Sequence, residues 1–92
     1  MQEQPTSTVL TTRDLYLAST LITLGFPMQN IVYQYEGQRT QPVGYFQFEK
    51  TPDLEAADKA YWAGKTSVEP RAFVMAMRGL KSQTASAYKS PV

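Results

Sequence analysis

Apolar positions between Leu15 and Leu24 recur at helical spacing. Leu15, Ala18 and Ile22 interleave with Leu17, Leu21 and Leu24, while Thr20 and Thr23 fall on the opposite face. Thr11 followed three residues later by Asp14 reads as a capping pair at the start of this helix. Gly25 and then Phe26-Pro27 predict its end, because glycine accepts the left-handed terminal position and proline blocks continuation. The period then changes to two. Ile31, Tyr33 and Tyr35 alternate with Val32, Gln34 and Glu36, which predicts a half-buried strand. The run 36–42 reads as a turn, and 43–49 as a second strand with Phe46 and Phe48 inward and Tyr45, Gln47 and Glu49 outward.

Helical period returns at Thr51-Pro52-Asp53, where a capping threonine, a proline at the first helical position and an acid open a second helix. Leu54, Ala57, Tyr61 and Trp62 form its expected buried stripe, and Gly64 its stop. Pro70, with Glu69 at the N-terminus, opens a third helix whose stripe is Phe73, Met77 and Leu80, with Val74 beside it. The stretch 61–73 thus reads as a helix–helix corner with Trp62 closing onto the core.

The expected fold class is α+β, a single small domain in the order α-β-β-α-α, with an antiparallel hairpin packed against helices. The domain spans 11–82, between a flexible arm over 1–10 and a flexible tail over 83–92. A lone hairpin leaves its edges open, and edge pairing in a homodimer, giving a four-stranded sheet, is one economical remedy.

Composition narrows the chemistry. The chain has 92 residues, with 42% hydrophobic and 18% charged, which is the balance of a folded domain and not of a disordered one. It lacks cysteine and histidine, so thiolate nucleophiles, zinc–thiolate sites and the usual general base near neutral pH are excluded. It shows no basic, apolar leader and no apolar run long enough for a bilayer, so cytoplasmic is the expected location and no membrane partner is expected. Glu49, Asp53, Glu55 and Asp58 cluster in sequence, but an acid-rich helix start is its own structural reason. Lys81 and Ser82 are helical neighbours that point apart, which argues against a catalytic dyad. No phosphate-cradling glycine loop is present. The expectation is a protein that is not an enzyme and has no cofactor and no metal.

Charge distribution is more informative than net charge. Up to residue 64 the chain carries Arg13, Arg39, Lys50 and Lys59 against Glu3, Asp14, Glu36, Glu49, Asp53, Glu55 and Asp58. From residue 65 it carries Lys65, Arg71, Arg78, Lys81 and Lys89 against Glu69 alone. A basic end suits nucleic acid or another anionic partner. Arg71, Arg78 and Lys81 share part of one side of the third helix, and Tyr33, Tyr35 and Tyr45 offer rings of the kind that stack on bases. The competing reading is plain: a solvated helix face, and tyrosines serving as good strand formers. A helix-turn-helix over 52–82 is a poor match, since the linker after Gly64 is longer than that motif allows. Met75 and Met77 cannot share one face; Met77 suits the core and leaves Met75 exposed as a contact point.

The pieces Asp14-Leu15-Tyr16-Leu17-Ala18, Gly25-Phe26, Phe46-Gln47-Phe48, Thr51-Pro52-Asp53-Leu54, Tyr61-Trp62-Ala63-Gly64, Pro70-Arg71-Ala72-Phe73 and Leu80-Lys81-Ser82 resemble an uncharacterised family of short bacterial and phage-borne proteins, a domain of unknown function. The resemblance spans 11–82 and implies a prophage or mobile-element setting. It transfers no activity and no catalytic residue. The functional expectation is a small non-catalytic accessory protein contacting nucleic acid or a nucleoprotein complex through Lys65, Arg71, Arg78 and Lys81, with Tyr33, Tyr35 and Tyr45. The alternative is a protein-interaction module, an inhibitor or adaptor of a host complex, that uses a strand edge or apolar patch.

Overall fold

The computed structural model describes residues 8–37 and 42–88, with side chains to residue 85. Its elements are β1 (Val9–Thr12), α1 (Leu15–Thr23), β2 (Met28–Gln34), β3 (Val43–Glu49), α2 (Pro52–Trp62) and α3 (Pro70–Tyr88). The α+β class and the α-β-β-α-α succession hold, with one strand added in front. The sheet runs β1-β3-β2, antiparallel throughout, so β3 is central.

Strand β1 corrects the expectation of a loose arm over 1–10. Val9, Leu10, Thr11 and Thr12 pair with Glu49, Phe48, Gln47 and Phe46. Residues 1–7 lie outside the described residues. The addition also removes the strand-count motive for a four-stranded sheet across a dimer, because β1 occupies one edge of β3 within the chain.

Helix α1 starts three residues later than a Thr11 cap implied. Asp14 is its N-cap, accepting from Tyr16 N and Leu17 N at 2.9 and 3.2 Å, while Thr12 Oγ1 accepts from Asp14 N. Its end is as expected: Gly25 has φ 104° and Phe26 N reaches back to Leu21 O. Five successive residues, Leu17 to Leu21, are buried. The helix is therefore enclosed on more than one side, and Thr20 is inside and not solvated. Ser19 and Thr20 survive burial because their hydroxyls donate to Leu15 O and Tyr16 O, each at 2.8 Å.

The core is Leu17, Ala18, Leu21, Phe46, Phe48, Leu54 and Leu80. Phe46 and Phe48 thus face inward, as the alternation required. Helix α3 packs along α1 and runs past Ser82, where the tail was expected to begin. Its second half crosses the sheet at Gly44, whose absent side chain would meet Thr84 Cγ2 and Tyr33 Cε1 at 3.4 Å. These are ordinary van der Waals separations, and they set the second half of α3 beside β3. Residues 89–92 of the expected tail lie outside the described residues.

Helix α2 is capped by Thr51, whose Oγ1 accepts from Leu54 N at 3.1 Å, and stops at Gly64 with φ 73°. Leu54 is buried and Ala57 and Tyr61 pack on the core. Trp62 does not join them: it is 64% exposed, which corrects the buried reading. Residues 61 and 62 point about 100° apart on a helix, so only one ring reaches the core. Trp62→Ala is accordingly expected to change stability by less than about 0.5 kcal/mol in a urea melt, as for a surface site.

Tyr61 ties α2 to the start of α1. Its hydroxyl lies near the Asp14 carboxylate. Burial, then the Asp14 charge and hydrogen bond, and then Tyr16 raise its pKa above 10.0. The folded state therefore favours the neutral phenol. This stability is fully present below the unfolded value near 10 and is lost as pH rises through the raised folded value. Thermal melts should show an alkaline loss of stability above pH ~10 that is smaller in Tyr61→Phe.

Candidate functional site: the exposed face of α3

Opposite its core-facing stripe, α3 presents Arg71, Val74, Met75 and Arg78. With Pro70 these residues line a shallow groove of about 310 Å³. Glu69 sets the start of the helix: its Oε1 accepts from Ala72 N at 2.8 Å, and its carbonyl from Phe73 N at 3.0 Å. Arg71 and Arg78, seven residues apart, stand on one side of the helix, about 10.5 Å apart along its axis. The floor between them is apolar: Val74 is half-buried and Met75 is 72% exposed.

The other expected site residues are dispersed. Lys81 is exposed and lines a second depression of about 240 Å³ with Arg13, Leu15, Val43, Gly44, Phe46 and Thr84. Lys65 is exposed in the loop 63–69. Among the described residues the one ion pair is Arg13–Glu36 at 3.2 Å, so Lys65, Arg71, Arg78 and Lys81 have no carboxylate partner there.

The tyrosines do not form one stacking platform. Tyr33 pairs with Gly44 in the register, and its ring lies by Gly44 on the side where α3 crosses. Tyr45 pairs with Val32 on the opposite face, and its hydroxyl donates to Glu36 Oε2. Glu36 Oε1 in turn accepts from Arg13. Tyr35 lies beyond the end of β2 and is 70% exposed. Three rings split between two faces cannot stack on one strand of bases.

Reasoning from charge picked out the arginines but not the floor between them. Val74, beside the core stripe in the sequence pattern, lines the groove instead, as does Pro70 at the helix start. The signal was present in the spacing: Arg71, Val74, Met75 and Arg78 stand at i, i+3, i+4 and i+7, one face of a helix.

Among the described residues no group of three or more His, Cys, Asp or Glu side chains is placed to hold a metal ion, and no helix is long and apolar enough to cross a membrane. No family model matches the chain, and neither the curated proteins nor the solved structures contain a significant match. The resemblance drawn from the sequence therefore adds nothing to the site, which stands on geometry alone.

Proposed function

We propose that the protein is a small non-catalytic binding module that docks a protein segment on the exposed face of α3. One observation carries this reading: Arg71 and Arg78, without carboxylate partners among the described residues, flank an apolar floor of Pro70, Val74 and Met75. Such a groove suits an apolar side chain flanked by carboxylates. The floor gains by losing water, and each guanidinium gains a charge-assisted partner. A phosphate backbone would satisfy the arginines and leave Met75 exposed. The mobile-element setting belongs to this proposal through the sequence resemblance alone, and the role there is that of an adaptor or inhibitor.

Nucleic-acid binding is the second reading. It is favoured by Lys65 and Lys81, also exposed and without ion-pair partners among the described residues. Fluorescence anisotropy separates the two. A capped, labelled tetrapeptide of one tryptophan flanked by glutamates is expected to bind saturably, and mixed-sequence oligonucleotides weakly. Oligonucleotide binding that falls steeply with salt, weakens in Lys65→Glu and Lys81→Glu, and exceeds peptide binding would reverse the order of the two readings.

A further inference from the structure

The end of α2 carries the chemistry that the α3 groove lacks. Trp62 is a large apolar side chain that stands in solvent. Its indole N–H donates to Asp58 Oδ1 at 3.0 Å, one turn back, and its ring meets Tyr61 edge to face, with centroids 4.9 Å apart and planes at 88°. Glu55, Asp58 and Trp62 lie at i, i+3 and i+7, on one face of α2. Lys59 flanks that face, and the helix as a whole carries Asp53, Glu55 and Asp58 against this single lysine. From its first residue to Lys81, α3 carries Arg71, Arg78 and Lys81 and no acid.

The two patches complement each other in charge and in type of contact. Guanidinium groups stack on indole faces, and a methionine thioether packs favourably against an aromatic ring. A groove of about 310 Å³ is at the small end of ligand pockets, room for one large side chain. Tryptophan and arginine are also the residue types that dominate interface energetics.

We propose that the partner of the α3 groove is a second copy of this chain. Trp62 of each copy enters between Arg71 and Arg78 of the other, with Asp58 and Glu55 facing the guanidinium groups. The inference rests on the reading of α3 as the docking face, and it names the occupant. Each copy offers both halves of the contact, and forming it twice about a two-fold axis closes the dimer, which the doubled mass reads. The sheet edges take no part.

Trp62 is the only tryptophan, so its fluorescence reports on this interface alone. Light scattering from low-micromolar to millimolar protein should show the mass doubling, with Trp62 emission shifting to the blue in step. Trp62→Ala, Arg71→Glu/Arg78→Glu and Glu55→Lys/Asp58→Lys should each remain monomeric and folded. An equimolar mixture of the two charge-reversed variants should recover the doubled mass, because every contact in the mixed pair again joins opposite charges. A wild-type chain that stays monomeric throughout, or a dimer that persists in Trp62→Ala, overturns the inference. The capped peptide then decides the rest. Saturable binding to wild type leaves α3 as the docking face and removes only the second copy, whereas no binding removes both.

Discussion

Phe48→Ala is expected to cost about 3–5 kcal/mol, measured as a fall in the urea midpoint at unchanged slope. Phe48 is 0% exposed, sits on the central strand, and pairs with Leu10 on one side and Met28 on the other. Its ring belongs to a core cluster with Leu17, Ala18, Leu21, Leu54 and Leu80. Removing it leaves a cavity that three strands and the buried helix would have to collapse to fill. Domains of this size have total stabilities of roughly 5–15 kcal/mol, so the loss is a large share of the whole. Trp62→Ala removes an aromatic of similar size, yet its expected cost is several-fold lower. Measuring both separates the core from the exposed surface of α2.

The second large effect is on binding. Arg71→Glu with Arg78→Glu should weaken the acidic tryptophan peptide about a hundredfold, since like charges brought together cost several kcal/mol. The same variant should melt within about 0.5 kcal/mol of wild type. Neither arginine has an ion-pair partner among the described residues, and both are exposed, so reversal breaks no such contact. Met75→Glu should act in the same direction by placing an acid in the floor. Lys65→Glu, in the loop before α3 and outside the groove lining, should have little effect on the peptide.

Most of the fold was legible because it is local. The periodicities of 15–24, 43–49 and 52–61 and the stops at Gly25 and Gly64 are statements about neighbouring residues, and tertiary packing agrees with them. Features that depend on distant partners were not legible. β1 is four residues without clear alternation, and it is a strand because Val43–Glu49 offers it an edge. Thr20 is polar and was placed outside. It is inside because α1 is enclosed and its hydroxyl finds the Tyr16 carbonyl. Residues 83–88 lack an apolar stripe, yet α3 continues through them, with Thr84 lying beside Gly44.

The candidate site divides in the same way. The arginines of α3 were legible from spacing on one helix. The tyrosine platform failed on register, since pairing Tyr33 with Gly44 sends Tyr33 and Tyr45 to opposite faces. Trp62 was misread through its residue type. Leu54, Ala57 and Tyr61 already complete the buried stripe at i, i+3 and i+7, and an adjacent ring has to turn away. That misreading matters for function, because the ring expected to close the core is instead the most prominent exposed aromatic of α2.

Methyl-labelled methionine reports whether the proposed partner binds on the exposed face of α3. Met28 lies on an edge strand packed against the core, Met77 is half-buried on α3 and does not line the groove, and Met75 is on the groove floor. Titration of the capped acidic tryptophan peptide into the labelled protein should move the Met75 methyl signal progressively to saturation and leave those of Met28 and Met77 in place. A spectrum in which Met75 stays still at saturating peptide, or in which Met28 moves instead, would contradict binding on that face.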